Sequence, residues 1–358
     1  MRPLVLVLAV LLVLAVLALV HGGLLFVRPS GAEAAAEAVG TGPTVGVVFD
    51  MGGRGDKSFN DGAWLGADRA RRDLGARVQF IEPGEGSDRE AGLRLLAAEQ
   101  RQVVFGVGFI FTDDLTDLAR EYPTVPFAGV DYALQIDENG AVVPPPPNVA
   151  ALKFREEEGA FLVGALAALA GGSKKVGFVG GMDIPLIHKF EAGYTAGVKH
   201  VCPDCTVIAQ YAGVTPEAFR NPGKGKELAL SQYQQGVKVI FHASGSTGLG
   251  VFEAARAMGR GHYGIGVDAD QYDEAPGFVL TSMVKGIDAV VFDTIERVAQ
   301  GRFRGGIYSY GLREGGVGYV YDERNKALIP DAVRARLLDL ERRIVAGEIT
   351  VPSTRAKS

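Results

Sequence analysis

Three aspartates, Asp50, Asp131 and Asp268, each end a short apolar run: TVGVVF (44–49), VPFAGV (125–130) and YGIGV (263–267). Runs of this length and composition read as buried strands, which places each carboxylate at a strand's C-terminal end. An acid there often caps the following helix. Three such acids with no basic residue beside them in sequence suit a polyhydroxyl ligand, because an ionised carboxylate accepts strong hydrogen bonds from hydroxyl groups. Other strand ends carry glycine, at residues 106–108, 180–181 and Gly245, where bare backbone can approach a ligand closely.

Enzyme chemistry finds less support. GSTGLG (245–250) lacks the G-x-G-x-x-G order of a dinucleotide loop, and no G-x-x-x-x-G-K-[ST] phosphate loop is present. The five histidines, His21, His188, His200, His242 and His262, show no metal-binding pair spacing, and there is no G-x-S-x-G elbow. His242 ends a strand and reads as a buried, hydrogen-bonded side chain. No catalytic residue, metal site or cofactor is therefore expected. Cys202 and Cys205 form CPDC, the only C-x-x-C in the chain, so a four-ligand zinc site cannot be completed nearby. The pair follows a helix and precedes a strand, the reverse of a redox motif. A local disulfide in an oxidising compartment is expected, with little effect on stability because its loop is so short. The net charge of -5, with no Lys/Arg run, argues against nucleic acid as a partner.

The elements that hold these residues alternate strand with helix. Strands are expected at 44–49, 77–82, 102–108 and 125–131, with helices at 59–74 (Trp64 and Leu65 on its apolar stripe), 89–100 and 113–122. A loop at 135–148 with four prolines from Pro144 interrupts the rhythm. It resumes with strands at 148–154, 174–181, 206–213, 238–245 and 263–268, the helices 156–170 and 184–201, then 278–284, a helix 287–300 and a last helix 331–346. This pattern belongs to parallel sheets built of βαβ units. Its broken middle favours two doubly wound α/β lobes over one eight-unit barrel, and 358 residues suffice for two domains. Ligands in such sheets sit beyond the C-terminal strand ends. At the N-terminus, Met1 and Arg2 precede a Leu/Val/Ala run (4–20), and the small-residue sites Ala32-Glu33-Ala34 and Ala34-Ala35-Ala36 follow. Residues 1–36 read as a signal peptide or, with the apolar 24–27 added, as an uncleaved membrane anchor. Either places the folded part outside the cytoplasm.

Eight segments in order then carry a family resemblance: DMGGRGDKSFND (50–61), GVGFIFTDDL (106–115), KFREEEGAFLVGALAAL (153–169), VGFVGGMDIPLIHKFEAGYTAG (176–197), KGKELA (224–229), GSTGLGVFEAA (245–255), GVDADQ (266–271) and LTSMVK (280–285). The chain resembles the basic membrane protein (BMP) family of ABC-transporter substrate-binding lipoproteins, which includes purine nucleoside receptors. The resemblance implies a type I periplasmic-binding fold with three crossovers. The N-terminal lobe would comprise 43–152 plus 285–312, and the C-terminal lobe 153–284 plus 313–358. It also implies a nucleoside, purine favoured, held between the lobes of a monomer that delivers it to an ABC permease. On matching positions, Asp50 would contact the ligand, Phe59 would stack on the base and Asn60 would bond its edge. Asp131 would serve the same lobe, and Phe219 would stack from the other. Gly245 would bring backbone near the ribose, Asp268 would hold its hydroxyls, and Lys285 would stand at a crossover and reach the ligand or its carboxylate partners. On its own, Lys285 reads as a solvated lysine, and Asn60 and Asp61 read equally as helix caps. No cysteine lies between residues 20 and 40, so the family's lipid anchor is not expected. The alternatives are a ligand sensor acting through a membrane partner, and a nucleoside- or sugar-processing enzyme.

Overall fold

The repeated strand–helix pattern folds into two six-stranded sheets in a computed structural model that describes residues 41–84 and 88–355. The first sheet is built from β1 (Thr44–Val48), β2 (Arg77–Ile81), β3 (Val103–Val107), β4 (Phe127–Val130), β5 (Val149–Phe154) and a late strand, β11 (Gly306–Tyr310). Their order is β2-β1-β3-β4-β5-β11, parallel throughout. The second sheet contains β6 (Lys175–Met182), β7 (Thr206–Gly213), β8 (Val239–Ala243), β9 (Tyr263–Asp268), β10 (Val279–Lys285) and β12 (Val317–Tyr319). It repeats the arrangement as β7-β6-β8-β9-β10-β12, with only β12 antiparallel. Strands covered on both faces must be apolar throughout, and β3, β4 and β8 are buried at every residue.

Helices α1 (Phe59–Leu74), α2 (Asp88–Ala98), α3 (Thr112–Glu121) and α8 (Ile287–Ala299) cover the first sheet, with α8 packed on α1. Helices α4 (Glu156–Ala170), α5 (Pro185–Val201), α6 (Pro222–Gln234), α7 (Leu249–Met258) and α9 (Asp331–Val345) belong to the second. The chain passes between the sheets after β5, after β10 and after β11. This is a type I periplasmic-binding fold of two doubly wound lobes, not a single barrel.

Leu65 is a correction. It is 55% exposed, and the buried stripe of α1 is Ala63, Ala67 and Ala70 with Asn60. Gly62 and Gly66 lie against Ile287 and Val291 of α8, and helices that close together leave no room for a leucine between them. Trp64 instead lies on the rim, its ring 5.2 Å from Phe80, with the Arg54 guanidinium 4.8 Å away. Strands β11 and β12 had no counterpart in the sequence reading. β11 alternates half-buried and exposed residues and β12 has three residues, so neither makes an apolar run. The proline-rich loop carries a small antiparallel bridge, Ile136 to Val142. Cys202 and Cys205 are disulfide-bonded at the end of α5, Cα atoms 5.3 Å apart. The expected signal or anchor segment, 1–36, lies outside the described residues. No described helix is long and apolar enough to cross a membrane.

Candidate ligand-binding cleft

In both sheets the chain reverses its winding between the first strand and its inner neighbour, β1/β3 and β6/β8. A doubly wound sheet opens a crevice at that point. The two crevices face each other across one cavity lined by residues of both lobes, the kind of site in which small organic molecules bind. Asp50, Phe59, Asn60, Asp131, Phe219, Gly245, Asp268 and Lys285 all line it. So do Asp56, Phe109, Phe190 and Ser244, which the sequence reading passed over. Leu186, Ile187 and Phe190 share one face of α5. Their helical spacing was legible, but its direction toward a cavity was not.

Asp56 organises the loop between β1 and α1. Its carboxylate accepts from the backbone N–H groups of Ser58 (2.9 Å), Asn60 (2.9 Å) and Asp61 (3.2 Å). Thus Asp56, rather than Asn60 or Asp61, satisfies the open N-terminus of α1. Asp61 reaches back instead to the N–H of Gly55 (2.6 Å) and Lys57 (3.0 Å). Asn60 accepts from the Asp50 N–H and donates to Asp56, both at 3.0 Å. Its amide therefore holds the loop to the end of β1, leaving one N–H and one lone pair free for a ligand.

Two glycines are required by close approach. A Cβ on Gly108, at φ 121°, would lie 2.3 Å from Asp50 Oδ2, and one on Gly181 would lie 2.2 Å from the Phe219 ring. Only bare backbone lets the carboxylate and the ring occupy those places. Asp131 and Asp268 adopt left-handed backbone, φ 59° and 65°, which aspartate tolerates better than most residues.

The electrostatics overturn two expectations. Lys285 is buried, and the aspartates do have a basic partner: Lys285 Nζ lies 2.6 Å from Asp131 Oδ2 and 3.3 Å from Glu156 Oε1. It also sits 4.8 Å from the Phe154 ring and 5.1 Å from the Phe59 ring. The partners are 154 residues apart in sequence, so no local pattern could pair them. Burial works against the ammonium charge, but Asp131, Glu156 and Asp268 outweigh it and hold Lys285 above its usual pKa. Lys189 continues the series, donating to Glu156 and to Phe154 O (2.6 Å). Burial raises the Asp131 carboxyl against the opposing Lys285 charge, and its Oδ1 has no hydrogen-bond partner among the described residues.

Burial pushes Asp50 up to about 7, against the N–H bond from Met51 and reinforced by Asp131 and Asp56. Burial likewise pushes Asp268 up to about 6, opposed by Lys285 and by the Ser58 hydroxyl. Both folded values exceed the ordinary 3.8. Their contribution to stability is therefore complete below about pH 4 and lost as pH rises through 6 and 7. The ligand-free protein is expected to melt at a lower temperature at pH 8 than at pH 5. The Asp50→Asn/Asp268→Asn variant should flatten that slope in calorimetry; an unchanged slope would place the titration elsewhere.

A cavity at the switch points of two matching doubly wound lobes, walled by rings and carboxylates, has the build of a small-molecule-binding protein. The chain belongs to the BMP family: residues 44–355 match the family described as ABC transporter substrate-binding protein PnrA-like. It is thus an extracytoplasmic solute-binding protein of the ABC-transporter type. It is similar to a CD4+ T-cell-stimulating antigen of Listeria monocytogenes, 34% identical over 86% of this chain and 88% of that protein. It is also similar to the ABC transporter nucleoside-binding protein BmpA of Lactococcus lactis, 33% identical over 86% and 88%. Among solved structures it resembles an ABC transporter solute-binding protein from Aeropyrum pernix, with a TM-score of 0.78 and 33% identity, over 88% of this chain and 94% of that one.

Proposed function

We propose that the cleft binds a nucleoside, purine favoured, and delivers it to an ABC permease. The observation that carries this reading is the pairing of an aromatic ring from each lobe, Phe59 and Phe219, with four carboxylates, Asp50, Asp56, Asp131 and Asp268, in the same cavity. A flat base calls for the rings and a ribose calls for acceptors, among them the unpartnered Asp131 Oδ1. The nucleoside-binding relative from Lactococcus lactis supports the same ligand class. In this reading Asp50 and Asp131 contact the ligand from the first lobe. Gly245 lends backbone, Asp268 holds ribose hydroxyls, and Lys285 keeps Asp131 oriented.

The same wall discriminates against phosphate. Lys285 is its one ammonium and is already matched by Asp131 and Glu156, while Asp50, Asp56 and Asp268 would repel an added anion. Calorimetry against inosine, adenosine, uridine, ribose and inosine 5′-monophosphate is expected to show nucleosides binding. The monophosphate should bind at least about 100-fold more weakly, a difference of about 2.8 kcal/mol. Binding of ribose or of the monophosphate in preference to nucleosides would reject the assignment.

Residues 1–36 are assigned as the export signal or an uncleaved anchor. The mass of the mature protein distinguishes them, and retention of the anchor would favour the sensor alternative.

A further inference from the structure

The two lobes touch beside the cavity through two residues, Ser58 and Gln271, that do not line it. Ser58, at the head of α1 in the first lobe, donates through Oγ to Asp268 Oδ2 at 2.6 Å in the second. Beside it, Gln271 Nε2 of the second lobe donates to the backbone carbonyl of Lys57 at 2.9 Å. Ser58 and Gln271 are both almost completely buried, and neither lines the cavity.

Each half of this contact is held rigid by its own lobe. On the first side, Asp56 and Asp61 hold the backbone N–H groups of residues 55, 57, 58, 60 and 61. Lys57 is kept in left-handed backbone, φ 57°, an uncommon conformation for a residue with a side chain. On the second side, Gln271 Oε1 accepts from the Val267 N–H at 2.9 Å and lies 3.0 Å from His242 Nε2. The Gln271 N–H itself is fixed by Ser282 Oγ at 3.0 Å. Burial pushes the His242 ring down to about 4, so at neutral pH the ring is uncharged and Nε2–H is the donor to Oε1. With Oε1 doubly engaged, the Gln271 amide has one orientation, its NH₂ toward the other lobe. His242 is thus a positioning residue for Gln271, the role left open by its lack of any catalytic partner.

We infer that Ser58 and Gln271 form an interlobe clasp, preorganised on both sides, that sets how long the closed lobes stay together. Preorganised groups lose little entropy when they meet, so the clasp acts on opening rather than on closing. It also joins closure to occupancy, because Asp268 is both the acceptor of Ser58 and part of the cavity wall. The inference goes beyond the nucleoside reading and needs only that the lobes open and close.

The test is single-molecule energy transfer on the full chain, with dyes on exposed positions of α2 and α6, recorded without ligand and with inosine. Gln271→Glu retains the oxygen that accepts from Val267 and His242, but turns a second oxygen toward the Lys57 carbonyl. It should leave the second lobe folded while opposing the closed state. The expected result is an opening rate raised about tenfold, or about 1.4 kcal/mol, with the closing rate kept. Ser58→Ala should change the rates in the same direction. Opening rates equal to wild type in both variants, or a wild type that never dwells closed without ligand, would overturn the clasp. If the wild type dwells closed but ignores inosine, the ligand assignment fails, and the ligand-free dwell times still decide the clasp.

Discussion

Lys285→Met is expected to destabilise the protein by about 3–5 kcal/mol, the cost of leaving a buried charge without its partner. The substitution keeps the length of the side chain, so the effect is electrostatic rather than a cavity. It strands Asp131, which Lys285 Nζ contacts at 2.6 Å where the chain passes between the lobes, and leaves Glu156 with Lys189 as its remaining partner. Asp131 would then be free to protonate, since burial already raises its carboxyl. Chemical denaturation of the ligand-free protein measures the loss. Adding Asp131→Asn should recover most of it, because buried polar groups of matched shape can be nearly neutral where a lone charge cannot. A loss below about 1 kcal/mol, the scale of an exposed ion pair, would mean that water reaches the network and that Lys285 is not its keystone.

Removing the rings should act on affinity instead. Phe59→Ala and Phe219→Ala are each expected to weaken nucleoside binding about 10- to 100-fold, from about 1–3 kcal/mol of lost stacking. Phe219 is the cleaner probe. It packs on the bare backbone of Gly181, whereas Phe59 also lies 5.1 Å from Lys285 Nζ and its loss disturbs the ion network. Calorimetry of Phe219→Ala and Phe219→Leu separates the terms: leucine restores burial but not a flat face, so it should remain weak. An affinity fully restored by leucine would replace stacking with simple apolar contact.

Much of the architecture was legible locally. A buried strand in a parallel sheet is an uninterrupted apolar run, so ten of the strands announced themselves. The two that did not, Gly306–Tyr310 and Val317–Tyr319, sit at sheet edges, where one covered face is enough. Asp50, Asp131 and Asp268 were visible because strand ends are marked by the end of apolar runs. Leu65 misled because helical periodicity gives the spacing of a stripe but not the distance to the neighbouring helix, which here lies so close that Gly62 and Gly66 face it.

The cavity is a different matter. Residues 50, 131, 219 and 268 could be ranked as candidates one at a time, yet nothing in their neighbourhoods says that they share a wall. That Lys285 is buried against Asp131 depends on a partner 154 residues away, whereas the Asp56 cap of α1 and the Asn60 contacts to Asp50 and Asp56 span ten residues or fewer. By itself the sequence determined the strand–helix alternation, the two matching lobes and the kinds of residue at the strand ends, because hydrophobic periodicity and backbone preference act over a few residues. Which of those ends meet, which charges pair and which hydrogen bonds close the cleft were decided by tertiary structure alone. Desolvation and Coulomb interaction depend on distances in space that only the folded chain sets.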